Sequence, residues 1–264
     1  MKKFELTSEF MLTSSGIKLF RVRALVAFGF VKAGDNGGFI EKEENLSQDG
    51  TAWVYGDAQV SGNARVSGNA QVYGHAKVSD NARVYGDAKV SGNAKVSGDA
   101  KVSGNACVSG DAKVSSDAKV YGNAQVSGNA GVYGDTQVSD NAWVSGDAQV
   151  SGNAKVSGNA GVSGNAQVSG TAWVSGDAQV SHNAWVSSDA DYATVKGFGR
   201  KNRTTTVFRC KEGRLRVVCG CFLGDLDDFR EIVKKTHGDG KMATEYLMIA
   251  DLMEMHFKGG YAKW

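Results

Sequence analysis

Valine occurs at every sixth position from Val54 to Val186, giving 23 valines without one insertion or deletion. Alanine stands two residues before 22 of them, and Thr136 takes its place once. The repeating hexad is A-x-V-S-G-[ND]. In an extended strand Ala and Val point to one face, and x and Ser to the other. Gly followed by Asn or Asp tolerates positive φ and forms a corner. A strand and a corner every six residues cannot form a flat sheet, so the chain must coil.

The composition fits a chain that turns without proline. There are 35 glycines and no proline among 264 residues, so the corners depend on Gly, Asn and Asp. The most apolar run, residues 24–31, is much shorter than the roughly 20 residues of a membrane span. No apolar segment of a signal peptide follows the two N-terminal lysines. We therefore expect a cytoplasmic protein that does not enter a membrane.

The period of six resembles the left-handed parallel β-helix of hexapeptide-repeat proteins. The residues that carry this resemblance are an aliphatic residue and a small residue four positions later, as in Val90 and Ala94, Val96 and Ala100, and Val102 and Ala106. The resemblance implies a mainly β fold in which three hexads make one coil of 18 residues. Flanking hexads at Ile40, Leu46 and Tyr192 bring the total to between eight and nine coils.

The non-repeating ends predict two further regions. Residues 1–39 are interpreted as an N-terminal β cap, residues 40–193 as the solenoid and residues 194–264 as a small ββαα domain. In the last region we expect a hairpin with its turn at Glu212 and Gly213. A first helix should begin after Asp225 and extend to about Thr236. A second helix should bury the face formed by Met242, Tyr246, Ile249, Met253 and Phe257.

The entry segment FRVRALVAFGFVKAGDNGGFIEKEENLSQDGTAWVYG resembles a group of bacterial and phage hexapeptide-repeat proteins, which are described as transferases or polymer-forming proteins. The C-terminal segments CGCFLGDLDDF and KKTHGDG resemble a domain of phage-encoded relatives. This resemblance implies a phage or prophage protein, present in the cytoplasm or in the virion.

Hexapeptide-repeat acyltransferases use a histidine as general base, and related carbonic anhydrases use three converging histidines on zinc. His75 and His182 are the two histidines of the repeat, and about six coils separate them, or roughly 28 Å. They cannot act together. We therefore predict no catalytic residue, no metal and no cofactor, and keep a hexapeptide-type acyltransferase as the alternative.

The positions of the cysteines in the predicted strands indicate whether they are buried. Cys219 and Cys221 point to the same face of a strand as Leu215 and Val217, which predicts buried thiols. Cys107 occupies an outward x position and should be exposed.

The x positions form three columns because every third hexad repeats the same face. One column is a basic surface stripe, which comprises Arg65, Arg83, Lys101, Lys119 and Lys155. Three tryptophans near the C-terminal end lie on three different columns and are candidates for an interface with the last domain or another subunit: Trp143, Trp173 and Trp185. A homo-oligomer, dimer or trimer, is expected.

Positive charge is densest in the predicted hairpin. Residues 196–217 contain eight basic side chains and one acidic one, Glu212. Such a cluster suits phosphate, nucleic acid or an acidic protein. The candidate anion-binding residues are Arg200, Lys201, Arg203, Arg209, Arg214 and Arg216. The leading hypothesis is a non-enzymatic scaffold that presents this basic module to a partner, and nucleotide or nucleic-acid binding is the second alternative.

Overall fold

A computed structural model describes residues 2–199, 202–211 and 213–258. Three N-terminal strands, β1 (Phe4–Leu12), β2 (Lys18–Ala24) and β3 (Asn36–Ile40), pair antiparallel in that order. A short 3₁₀ helix, Glu43–Asn45, leads into the repeat. The strand β3 also pairs in parallel with the first repeat strand beside it, so the N-terminal sheet continues into the repeat.

The repeat contains 23 two-residue strands, β4 to β26 in chain order, each formed by an x residue and its valine. They lie on three faces. The long face, which continues β1–β3, comprises Gln59–Val60, Lys77–Val78, Lys95–Val96, Lys113–Val114, Gly131–Val132, Gln149–Val150, Gln167–Val168 and Trp185–Val186. The eight-strand face comprises Trp53–Val54, Gln71–Val72, Lys89–Val90, Cys107–Val108, Gln125–Val126, Trp143–Val144, Gly161–Val162 and Gln179–Val180. The seven-strand face comprises Arg65–Val66, Arg83–Val84, Lys101–Val102, Lys119–Val120, Gln137–Val138, Lys155–Val156 and Trp173–Val174.

Each strand pairs in parallel with the strand 18 residues further along, as Lys89 does with Cys107. The prediction of a β-solenoid with 18 residues per coil is therefore confirmed, and the rod has about eight coils where between eight and nine were expected. At about 4.8 Å per stacked strand, the rod is about 40 Å long.

The interior of the rod is a column of Val and Ala side chains, which are fully buried. Thr136 stands at an alanine position and is equally buried, and its Oγ1 has no hydrogen-bond partner. Each coil buries only small side chains, so most of its stabilisation comes from the coils above and below it.

The corners require positive φ, as the Gly-Asn and Gly-Asp pairs predict. Gly110, for example, has a φ of 69°. Four corners carry another residue at the same place, with φ between 56° and 61°: Asp80, Ser116, Asp140 and His182. The two aspartates compensate for this conformation, because each accepts a hydrogen bond of 3.0 Å from the backbone N–H of the next corner.

Asparagine side chains form ladders along the corners. The longest begins at Asn105, where each Nδ2 donates to the Oδ1 of the residue 18 positions later, at 2.9–3.1 Å. It ends at Asp177, which can only accept. Lys196 closes the ladder by pairing with that carboxylate. Hydrogen bonds from Lys196 and from Asn159 lower the pKa of Asp177.

The first coil exposes backbone carbonyls, because within the stack an x residue donates its N–H to the alanine carbonyl of the next coil. Three alanines of the first coil have no coil before them, and each receives a different donor. Lys3 Nζ reaches Ala52 O at 3.0 Å, Phe39 N reaches Ala58 O at 2.9 Å, and Asn45 Nδ2 reaches Ala64 O at 2.8 Å. Donors therefore complete the N-terminal end of the ladder.

The last coil lacks acceptors instead, because no following coil offers alanine carbonyls to the N–H groups of its x residues. Trp173 N donates to Asp189 Oδ1 at 2.6 Å, and Gln179 N donates to Thr206 Oγ1 at 3.0 Å. Asp191 accepts from the N–H groups of the chain leaving the rod, Ser187 and Ser188. Burial alone would raise the pKa of Asp191, but these hydrogen bonds outweigh it and lower the pKa. Acceptors complete the C-terminal end.

Trp53 occupies an outward x position but is fully buried. Phe4 and Phe28 pack edge-on against its indole, with ring centroids at 6.2 and 5.3 Å. Gly37 permits this packing, since a Cβ there would fall 2.7 Å from the indole. The N-terminal strands thus cover one side of the first coil as well as its end.

The C-terminal region differs from the predicted ββαα order, because four strands precede the helices. They are β27 (Tyr192–Phe198), β28 (Arg203–Arg209), β29 (Leu215–Cys219) and β30 (Phe222–Gly224), paired antiparallel in chain order. The sequence gives little sign of β27, which is the exit from the rod, or of β30, which has only three residues. The strands β28 and β29 form the predicted hairpin, although Glu212 lies outside the described residues.

The helices are α1 (Leu226–His237) and α2 (Lys241–Lys258), and both were predicted. Asp225 caps α1 by accepting from the backbone N–H groups of Asp227 and Asp228. The predicted face of α2 is buried except for Met242, which is half-buried. Val207, Val217 and Cys219 of the sheet pack against these helices.

A candidate anion-binding cleft at the end of the rod

The opposite side of the C-terminal sheet faces the last coil of the rod. Phe208 is fully buried and belongs to the same apolar cluster as the valines and alanines of the rod. The edge of the hairpin follows the last coil, with a bridge from Ala184 to Cys210 and a hydrogen bond of 3.4 Å from Lys211 N to Asn183 O. Arg216 pairs directly with Phe208 across the hairpin, so its side chain lies on this rod-facing side.

A cleft of about 520 Å³ lies where the hairpin meets the last coil. This size is within the range of small-ligand sites. Its lining residues are Asn165, Gln167, His182, Asn183, Ala184, Trp185, Cys210, Lys211, Arg214, Arg216 and Leu223. Three of these are permanent cations and none of them is an acid, so the cleft favours an anion.

The cations of the cleft lie on the wall that the hairpin provides. Arg216 is half-buried, and Lys211 and Arg214 are exposed. Lys211 Nζ is 5.5 Å from the ring centroid of Trp185, within the range of a cation–π contact. The other wall, from the rod, carries the indole of Trp185 and three carboxamides.

The structure brings together only part of the predicted anion site. Arg214 and Arg216 line the cleft, whereas Arg203 is exposed at the start of β28, outside the lining. Arg209 has a structural role, since its Nη2 donates to Phe257 O at 2.9 Å and its Nε is 3.7 Å from Asp191 Oδ1. Arg200 and Lys201 lie outside the described residues.

Sequence reasoning missed several residues of the cleft. Lys211 was counted in the basic segment but not assigned to the site, and His182 was considered only as a catalytic or zinc-binding histidine. The carboxamides Asn165 and Gln167 look like any other repeat residue. The register of 18 was the signal available, because it places Asn165 directly before Asn183 and Gln167 directly before Trp185.

The interface tryptophans have three different environments. Trp185 lines the cleft and is 39% exposed. Trp173 is 52% exposed, and its Nε1 donates to Ser157 Oγ at 2.8 Å. Trp143 is half-buried and lies over Gly161, where a Cβ would fall 2.3 Å from the indole. Trp185 is therefore the tryptophan that lines the cleft at the junction with the last region, whereas Trp173 meets that region through its backbone carbonyl.

The basic stripe is aligned in register along the seven-strand face. Arg65, Arg83, Lys101 and Lys119 are consecutive partners, and Gln137 separates them from Lys155. The first four line a shallow groove together with corner residues, three of which are acidic: Asp99, Asp117 and Asp135. The stripe is thus beside a row of opposite charge, unlike the cleft.

The environments of His75 and of the cysteines agree only in part with the expectations from the sequence. His75 is exposed, 3.9 Å from Asp57, on a corner of the rod. Cys219 is buried as predicted, but Cys221 is exposed, because β29 ends at Cys219 and Cys221 falls in the following turn. Cys107 is half-buried rather than exposed. Among the described residues, no three His, Cys, Asp or Glu side chains are grouped to hold a metal.

The described part of the chain contains no helix long and apolar enough to cross a membrane. Comparison with protein families identifies the repeat. The family model for the YdcK beta solenoid repeat matches residues 58–74, 76–92, 136–152 and 148–164. These segments all lie within the rod, and the chain is accordingly a β-solenoid repeat protein. No curated protein matches it.

Proposed function

We propose that this chain is a non-catalytic rod that holds a basic α/β module at a fixed position on its end, and that the module binds an anionic partner. The observation that carries the proposal is the cationic cleft, because it is built jointly by the last coil and the module. Such a site exists only while the two parts keep their relative position.

Several contacts support a fixed position. Phe208 extends the apolar column of the rod into the module. Tyr192 Oη donates to Trp173 O at 2.5 Å, and Lys196 pairs with Asp177 at the end of the asparagine ladder. These contacts lie at different places on the last coil, so together they oppose both sliding and rotation of the module.

The uninterrupted stack supports a structural rather than a catalytic role for the rod itself. Most hexads repeat Ser, Gly and Asn or Asp on the outside of the rod, and the closed ends fix its length. A hexapeptide-type acyltransferase would place its base on the rod, and the exposed corner position of His75 does not favour that role.

The experiment compares two triple variants with the same loss of charge. One neutralises the cleft: Lys211→Gln, Arg214→Gln and Arg216→Gln. The matched control neutralises the basic stripe: Arg65→Gln, Arg83→Gln and Lys101→Gln. Binding of a fluorescein-labelled heparin fragment is measured by anisotropy at several salt concentrations.

We expect the cleft variant to lose most of its affinity and to show a smaller salt dependence, since fewer counterions are released on binding. The stripe variant should bind like the original protein, because its cations have acidic neighbours. Equal losses in the two variants, or no loss in the cleft variant, would contradict the proposal.

Two further expectations from the sequence belong to this proposal. A dimer or trimer is testable by light scattering on the purified protein. A phage or prophage origin is testable from the genes that neighbour the coding sequence.

A further inference from the structure

We infer that the cleft is a nucleotide site, in which the hairpin cations bind the phosphates and Trp185 stacks on the base. The inference rests on the proposed function and names the ligand class of the same site. It depends on three features of the cleft: the two cations Lys211 and Arg216, an exposed indole, and carboxamides at the open end of a ladder.

Two cations of the cleft, Lys211 and Arg216, differ from two other arginines of the module. Arg209 and Arg230 have carboxylate neighbours within the protein, Asp191 for the first and Asp251 for the second. Within the described residues, neither Lys211 nor Arg216 lies within salt-bridge distance of a carboxylate. Two cations that face one cleft without an internal counterion repel each other, so a bound polyphosphate would relieve this repulsion.

The indole of Trp185 provides a flat apolar surface beside these cations. Of the two exposed tryptophans at this end of the rod, Trp173 lies outside the lining of the cleft, whereas Trp185 is part of it. Stacking of a base on an aromatic side chain is a sequence-tolerant contact that strengthens the binding of an otherwise anionic ligand.

The carboxamides are placed to contact the polar edge of a base or the ribose. Asn165 Nδ2 donates to Asn183 Oδ1 at 3.4 Å, in the manner of the other ladders. Asn183 belongs to the last coil, so no following asparagine of the rod accepts a hydrogen bond from its Nδ2. The ladder therefore ends with a donor in the lining of the cleft, beside Gln167. Carboxamides offer both a donor and an acceptor to a ligand.

The test is calorimetric titration of the whole protein with ATP, tripolyphosphate and adenosine. ATP should bind more tightly than tripolyphosphate, because only ATP has a base to stack. Trp185→Ala should weaken ATP binding by about 5- to 150-fold, the range for loss of one stacked base, and leave tripolyphosphate unchanged. Arg216→Gln should weaken both ligands.

Two controls separate the site from the fold. Trp173→Ala removes a more exposed tryptophan from the same coil and should not change ATP binding. Trp185→Phe keeps a flat ring and should retain most of the affinity if stacking is the cause. A thermal unfolding midpoint for each variant shows whether it is folded.

The outcomes distinguish the inference from the proposed function. If ATP binds no more tightly than tripolyphosphate and Trp185→Ala has no effect, the cleft is an anion site and the nucleotide assignment is wrong. If no probe binds, the assignment is also wrong, but heparin binding that the cleft variant loses would still support the proposed function. If heparin binding fails as well, both are overturned.

Discussion

Thr136 offers a direct test of how the interior of the rod is stabilised. It replaces an alanine in the buried column, and its hydroxyl has no exposure and no hydrogen-bond partner. Its backbone is ordinary, since Lys119 N donates to Thr136 O at 2.9 Å as in every other coil. The energetic defect is therefore confined to one oxygen atom.

Thr136→Val keeps the branched shape and removes only that defect. A buried hydroxyl without a partner costs about 1–3 kcal/mol, so the free energy of unfolding should rise by about that amount. Thr136→Ala removes the same hydroxyl but also one methyl group, which contributes about 1 kcal/mol, so its gain should be smaller. Thr136→Ser keeps the hydroxyl without the methyl group and should be the least stable of the four proteins.

The assay is urea unfolding followed by circular dichroism, with thermal midpoints as a second measure. A gain of 1 kcal/mol corresponds to roughly 2–4 °C in a chain of this size. The order Val, Ala, Thr, Ser supports the reasoning. A valine variant no more stable than the original protein would show that the hydroxyl has a partner in the folded state, and the argument would fail.

Three further predictions concern the corners and the two ends. Gly110→Ala should destabilise the protein more than Gly176→Ala, although both glycines have positive φ. A Cβ at Gly110 would fall 2.9 Å from backbone atoms of the next coil, whereas a Cβ at Gly176 would have no atom within 4 Å. Equal losses in the urea midpoint would contradict this prediction. Burial lowers the pKa of Lys3 to about 8 from the usual 10.5, although the charge of Asp49 acts in the opposite direction. Lys3 therefore keeps its proton to a higher pH in the unfolded chain than in the folded protein. Unfolding free energy should therefore rise between about pH 8 and pH 10.5 by up to about 3 kcal/mol, and Lys3→Met, the control in the same urea titrations, should not show that rise. Arg209→Gln should increase amide exchange at the end of α2 through loss of its bond to the carbonyl of Phe257, while Arg203→Gln, which is exposed, should not.

The repeat was predictable because residues 18 positions apart occupy equivalent places on successive coils. The spacing of Val and Ala alone determines which side chains are inside, and the columns of the stripe follow from it. Trp53 was the largest failure within the repeat, since it follows the pattern but is covered by an N-terminal segment that has no repeat. Periodicity describes contacts between coils and contains no information on what lies against the first one.

The ends were harder to predict for a related reason. Lys3 looks like any N-terminal lysine, and Asp189 and Asp191 look like surface acids. Their roles appear only once the direction of the ladder is known, because one end then lacks donors and the other lacks acceptors. The cleft has the same origin, since Trp185 and Lys211 are distant in the chain and meet only where the hairpin folds back on the last coil.

The three-faced coil has a consequence for the orientation of the module. Adding or removing one hexad would turn the module by a third of a revolution, onto a neighbouring face of the rod. Adding or removing three hexads would restore the face and change the distance to the N-terminal end by about 4.8 Å. The number of hexads in the rod therefore determines both how far the cleft lies from the N-terminal strands and in which direction it opens.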